Sequence, residues 1–325
     1  MQPLTPAPLL ELRDITRTFS VRHGLLGEQA LLRALDGVTL ALHAGETLGL
    51  VGESGCGKST LGRVAVGLLP PSSGTVLLEG APLHAQGASR QQAGRLQMIF
   101  QDPFSSLNPR LSIGTSIAEP LTVRGVPRAE RRQAVDDMLQ LVGLSPQQAR
   151  RFPHEFSGGQ RQRIAVARAL ITRPQVIVCD EPVSALDASV QAQVLNLLRD
   201  VQERFNPAYL FISHDLAVVG FLCSRILVMY LGKIVEESSR DDLFERPAHP
   251  YTRALLAAMP SHDPAQRAAP VVLSGELPSP LAPPPGCAFH PRCAKAMPIC
   301  RQQEPPWLPL DGKRHVRCHL YREQA

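Results

Sequence analysis

The sequence predicts an α/β domain built on a central sheet, and three observations carry that prediction. Short β-branched runs alternate with helical patterns from Leu9 to Asp215. A glycine-rich loop, Gly52-Glu53-Ser54-Gly55-Cys56-Gly57-Lys58-Ser59, joins an apolar run to an amphipathic segment. Farther along, the apolar run Val176-Ile177-Val178-Cys179 ends in the acidic pair Asp180-Glu181.

The strand candidates, in chain order, are Val38 to Leu42, Thr47 to Val51, Thr75 to Glu79, Met98 to Phe100, Val176 to Cys179 and Tyr209 to Ser213. Behind the glycine-rich loop, Leu61, Val64, Ala65 and Leu68 fall at i, i+3, i+4 and i+7 and mark one face of a helix. Between Asp102 and Gln160 the alternation stops, and the segment reads as a helical insertion whose own core is Val135, Met138, Leu139 and Val142. Ser189 to Arg204 carries Val190, Val194, Leu197, Leu198 and Val201 and reads as a helix covering the sheet. After Tyr230, the turn Leu231-Gly232 precedes a short extended run, and helical segments follow near Asp241 to Phe244 and Tyr251 to Ala258. Beyond that point, prolines at 260, 264, 270, 278, 280, 283, 284 and 285 exclude long helices. The chain therefore divides into a unit over residues 1–259, with its helical subdomain near 102–160, and a Pro/Cys-rich module over 260–325 that needs something besides a core to hold it.

Composition narrows the class. A chain of 325 residues suits about two domains. No apolar run approaches the roughly 18 residues that span a bilayer, and Met1 to Leu10 lacks a basic region followed by an apolar one, so a cytosolic location is expected. The net charge of +5 is spread rather than gathered, and no basic run is interleaved with aromatics, so nucleic acid is not the expected partner.

The glycine-rich loop reads as a phosphate-binding loop. Its glycines let successive backbone N–H groups turn inward toward phosphate oxygens at a helix N-terminus. Lys58 would reach the β- and γ-phosphates, the Ser59 hydroxyl would bind Mg²⁺, and Thr60 follows in the same helical turn. An acidic pair at the mouth of a buried strand needs positive charge nearby, which Mg²⁺ and ATP supply. Asp180 would then hold the metal or its water shell, and Glu181 would act as general base on the attacking water.

Phe156-Ser157-Gly158-Gly159-Gln160-Arg161 resembles the signature sequence of ATP-binding cassette (ABC) proteins, and it lies just upstream of the strand Val176 to Cys179 as in that family. The resemblance implies a P-loop cassette with a helical signature subdomain. Gln101 resembles the glutamine that senses Mg²⁺, Ser184-Ala185-Leu186-Asp187 the loop that crosses the dimer interface, and His214 the switch histidine at the γ-phosphate. Phe19 resembles the aromatic that stacks on adenine. Two cassettes packed head to tail are implied, with Ser157, Gly158, Gly159 and Gln160 of one facing the ATP of the other.

Phe100 to Pro109, His249-Pro250-Tyr251-Thr252 and Leu273 to Pro280 narrow the resemblance to the ATPase subunits of bacterial dipeptide and oligopeptide importers, a group that includes nickel importers. The family implies a peripheral ATPase on the cytoplasmic face of the bacterial inner membrane, coupled to two permease subunits, a second cassette that is usually a paralogue, and an extracytoplasmic peptide-binding protein. The alternatives are an importer of nickel or another solute, and a soluble cassette acting on nucleic acid or ribosomes. Cys287, Cys293, Cys300 and Cys318 form a C-x5-C-x6-C-x17-C pattern. Four such thiolates suit a 4Fe-4S cluster or a tetrahedral Zn²⁺. The wide spacings and the importer resemblance favour the cluster; His290, His315 and His319 read as solvated loop histidines, with spare ligands as the alternative.

Overall fold

The computed structural model describes residues 7–22, 29–83, 94–102, 106–259, 278–312 and 314–322. Strands β1 (Leu10–Arg22) and β2 (Gln29–Leu42) form a long antiparallel pair. The short β3 (Thr47–Val51) leads through the glycine-rich loop into α1 (Lys58–Ala65). Then come β4 (Ser73–Leu78), β5 (Ala81–Pro82) and β6 (Leu96–Ile99). The helical insertion contributes α2 (Ile113–Val123), α3 (Arg128–Leu141) and α4 (Gly158–Leu170). After it the chain alternates β7 (Val176–Asp180), α5 (Ala188–Phe205), β8 (Ala208–Ser213), α6 (Leu216–Leu222) and β9 (Arg225–Tyr230). It then runs through β10 (Lys233–Ser239), α7 (Arg240–Glu245) and α8 (Pro250–Ala257) to two short strands, β11 (Leu308–Pro309) and β12 (His315–Val316).

Among the described residues these strands make two sheets, one ordered β2-β1-β4-β5 and one ordered β11-β12-β10-β9-β3-β8-β7-β6. The inner strands β3, β7 and β8 are parallel to one another and buried along their whole length. Such strands are covered on both faces and therefore read as continuous apolar runs. The period of two then sorts their side chains. Val176, Val178, Leu210 and Ile212 pack with Leu61 and Val64 of α1 under the antiparallel sheet. Ile177, Cys179, Tyr209 and Phe211 face the opposite layer, with Val194, Leu198 and Val201 of α5 and the core of the helical insertion.

Parallel pairing also sets the functional edge. Val51 pairs with Ser213 and Asp180 with Ile212, so the segments following β3, β7 and β8 leave the same end of the sheet side by side.

The structure departs from the sequence reading at several points. α1 stops at Ala65, which leaves Leu68 61% exposed rather than on a buried face. Phe100 falls just beyond β6, and β1 is a full strand that the alternation pattern did not mark. The helical insertion runs on past Gln160 to Leu170. In the tail, β12 pairs with β10 and Phe289 joins the main core, so the described part of the module borrows the cassette's core for its anchorage. Pro103 to Ser105 of the post-glutamine segment, and Leu273 to Leu277, lie outside the described residues.

Candidate active site

The glycine-rich loop has the curl its sequence calls for. Gly57 is left-handed (φ 109°), and a Cβ there would meet the Ala34 carbonyl oxygen at 2.4 Å, so no other residue fits without moving the backbone. Lys58, the first residue of α1, is 4% exposed and turns back into the loop, donating from Nζ to the carbonyls of Gly52 (2.8 Å) and Glu53 (3.0 Å). The loop, with Phe19, Arg33, Gln101, Glu181, His214, Gly232 and Pro280, lines a cleft of about 480 Å³.

The acidic pair sits across from it. Asp180 is 3% exposed and accepts a hydrogen bond from Ser59 Oγ (2.8 Å). Burial pushes its carboxyl above the usual range, while the Ser59 bond pulls the other way. A buried carboxylate and a serine hydroxyl form a hard oxygen set, which fits Mg²⁺. Glu181 is in a left-handed turn (φ 45°), pinned by its N–H donating to the Ile212 carbonyl (3.0 Å). Such a backbone is strained by about 1 kcal/mol or more in a non-glycine residue. Gln101 Nε2 donates to Glu181 Oε2 at 3.1 Å, and His214 Nδ1 lies 3.1 Å from the same oxygen. Lys58 Nζ is 4.0 Å from Oε1. An imidazole nitrogen facing a carboxylate carries the proton, so the arrangement orients both partners around one oxygen.

The signature and the downstream loop lie elsewhere. Ser157 caps α4, its Oγ accepting from the Gln160 N–H (3.3 Å) while Gln160 Oε1 accepts from the Ser157 N–H (3.1 Å). None of Ser157, Gly158, Gly159 or Gln160 is among the residues lining the cleft. Gly159 packs so close to α5 that a Cβ would sit 2.2 Å from Val190 Cγ1. Ser184 Oγ donates to the Glu181 carbonyl (3.1 Å), and Asp187 caps α5 by accepting from the Val190 N–H (3.0 Å). The Ser189 hydroxyl and this N–H hold the Asp187 carboxyl below its usual range.

Three features of the site escaped the sequence. The Glu53 N–H donates to the Tyr251 hydroxyl (2.8 Å), the Glu53 carboxylate is gripped by Arg292 at 2.7 and 2.9 Å, and Pro280 lines the cleft. Each partner lies far along the chain from the loop, and no local pattern announces it. Among the described residues, all seven cysteines are free thiols. Cys287, Cys293, Cys300 and Cys318 line one small cavity with His249, His290 and His319. Burial pushes the Cys287 and Cys318 thiols up to about 11. No group of three or more Cys, His, Asp or Glu among the described residues is placed to hold a metal ion, so neither the expected 4Fe-4S set nor a tetrahedral zinc set is preformed there. No helix among them is long and apolar enough to cross a membrane.

Residues 35–184 match the ABC transporter family, and residues 235–300 match the oligopeptide/dipeptide transporter C-terminal region. The di/tripeptide transport ATP-binding protein DppF of Pseudomonas aeruginosa is 51% identical over 316 residues, 96% of this chain and 97% of its own. The oligopeptide transport ATP-binding protein AppF of Bacillus subtilis is 48% identical over 321 residues, with 96% and 97% covered. Among solved structures, a cassette of Clostridium perfringens that is part of an ABC transporter complex matches with TM-score 0.62 at 26% identity, covering 74% of this chain and 92% of its own. A dimeric ATP-binding cassette in a post-hydrolysis state with ADP and Pi matches with TM-score 0.61 at 27% identity, covering 71% and 98%.

Proposed function

This chain belongs to the ATP-binding subunits of ABC transporters, in their peptide and oligopeptide group, and we propose that ATP hydrolysis in the cleft above Lys58 drives import of di- and oligopeptides through a membrane permease. The observation that carries the proposal is the convergence of Gln101, His214 and Lys58 on Glu181 opposite the phosphate loop.

The chemistry follows from those positions. Lys58 leaves the Gly52 and Glu53 carbonyls for the β- and γ-phosphate oxygens, and the loop N–H groups share the load. Ser59, Asp180 and Gln101 are the residues that would hold Mg²⁺, which neutralises phosphate charge when bound. Glu181 takes the proton of the attacking water, and Gln101 and His214 fix the carboxylate for that step. Phe19, which lines the cleft, stacks on adenine, with Arg17 against its ring at 4.8 Å. The signature residues Ser157 to Gln160 address the ATP of a second cassette, with Ser184 and Asp187 at that interface. Their absence from this chain's own cleft supports that reading. Hydrolysis then reopens an interface that ATP closes.

The membrane assembly we propose is two permease subunits, a paralogous second cassette and an extracytoplasmic peptide-binding protein, with this chain peripheral on the cytoplasmic face of the inner membrane. For Cys287, Cys293, Cys300 and Cys318 the proposed occupant is a 4Fe-4S cluster, with Zn²⁺ as the alternative, supported by four thiols lining one cavity between the tail and His249 and Pro250. Anaerobically purified protein should carry iron and sulfide; stoichiometric zinc without iron would overturn it.

The test of function is purification from detergent-solubilised membranes with measurement of ATPase stimulation by peptide-loaded binding protein. Co-purification with a permease and a second cassette, with peptide stimulation, is expected. A permease without peptide response would move the solute to nickel or another ligand. Nucleic acid or ribosomes in place of membrane proteins would overturn the transporter reading.

A further inference from the structure

A glutamate in a loop that binds a polyanion is an electrostatic liability, and Glu53 is the second residue of this one. It is held at three points. Its carboxylate accepts from both terminal nitrogens of Arg292 (2.7 and 2.9 Å), its N–H donates to the Tyr251 hydroxyl (2.8 Å), and its carbonyl accepts from Lys58 (3.0 Å). The first two partners come from 239 and 198 residues away, so neither belongs to the strand-loop-helix unit.

The platform behind Arg292 is built to stay in place. Arg292 is 8% exposed and closes the single turn His290–Arg292, between Cys287 and Cys293. Phe289, 3% exposed, precedes that turn and packs against Tyr230 (5.3 Å), Tyr251 (5.4 Å) and His249 (5.7 Å). Two parallel N–H···O contacts fix the carboxylate's plane as well as its charge. By contrast, Ser54 and Gly55 at the loop crest are exposed.

We propose that Arg292 is a positioning residue for the ATP site: by neutralising and turning aside the Glu53 carboxylate it keeps the phosphate loop receptive to a nucleotide triphosphate, which makes the cysteine-rich tail a wall of that site. The inference rests on the nucleotide reading above and adds to it a role for the tail. Removing Arg292 leaves an uncompensated carboxylate beside the phosphates, and the penalty grows with ligand charge. A lysine at this position offers one point charge in place of a two-pronged grip.

The experiment is equilibrium binding of ATP·Mg and AMP to the full chain, with thermal midpoints recorded for every variant. Arg292→Met is expected to raise the ATP dissociation constant about ten-fold and the AMP constant much less. Arg292→Lys should fall between it and the wild type. Adding Glu53→Gln to Arg292→Met should recover most of the affinity that Arg292→Met loses. A merely structural Arg292 would lower the midpoint and weaken both ligands alike, with no recovery from Glu53→Gln; that pattern, or ATP binding by Arg292→Met within two-fold of wild type, overturns the proposal. Wild-type protein that binds no ATP·Mg would overturn the nucleotide reading itself.

Discussion

Replacing Glu181 by glutamine should stop turnover and spare binding. Gln101 Nε2 and His214 Nδ1 both lie 3.1 Å from the same Glu181 oxygen, and a glutamine whose carbonyl takes that place keeps both contacts. The variant therefore isolates charge from geometry. Lys58 Nζ is 4.0 Å from the other oxygen, and the two side chains are 4% and 12% exposed. At an effective dielectric of about 20 their gross attraction is ~4 kcal/mol, of which desolvation of both groups cancels a large part. Removing that attraction releases Lys58 toward phosphate and takes a negative charge away from the γ-phosphate, so ATP affinity should hold or rise. The lost general base lowers turnover by about 10² to 10⁴, equal to about 3–5 kcal/mol of barrier. Single-turnover hydrolysis and equilibrium ATP·Mg binding on the full chain measure the two effects separately. Turnover within about ten-fold of wild type, or an ATP dissociation constant raised ten-fold, would refute the assignment of Glu181 as the base.

Gly159→Ala drives a Cβ to 2.2 Å from Val190 Cγ1 and should lower stability by about 1–2 kcal/mol, with Val190→Ala recovering most of it; an unchanged melting temperature would show that α4 and α5 adjust freely. Arg225 is 17% exposed and joins Glu46 (2.8 Å) to Glu237, so Arg225→Met strands two carboxylates and should cost about 3–5 kcal/mol in denaturant unfolding, whereas a loss under 1 kcal/mol would mark the cluster as effectively solvated. Burial depresses His249 to about 3, well below the ordinary imidazole range, while its Nδ1 accepts from the Tyr251 N–H. A depressed histidine contributes stability that is full above the unfolded pKa and lost as pH falls, so going from pH 7 to 5 should remove about 2 kcal/mol through this group. His249→Asn keeps an acceptor and cannot titrate, so its denaturation midpoint should be flatter over that range. Equal acid sensitivity in both proteins would exclude His249 as the cause.

The parts of the site that were legible in the sequence are those whose chemistry is contiguous. Gly52 to Thr60 curl as their glycines require, and Asp180-Glu181 close a buried parallel strand at the edge where Gln101 and His214 also emerge. Val135, Leu139 and Val142 are buried as their helical spacing indicates. Patterning failed where burial was decided elsewhere. Leu68 keeps the helical period but falls beyond the end of α1, and β1 is long and bulged, with register shifts between Leu12 and Ile15 and again near Arg17, which break the alternation that would have marked it.

By itself, then, the sequence determined the α/β class and the phosphate-loop pattern, because periodicity and glycine placement act over a few residues, and the resemblance of its motifs implied the cassette class. Only the tertiary structure decided that Arg292 and Tyr251 hold Glu53, that Pro280 reaches the cleft, and that β12 extends the main sheet beside β10. Those contacts join residues up to 239 positions apart. What brings them together is the burial of Phe289 against Tyr230 and Tyr251, a packing outcome of the whole core that no short window of sequence contains.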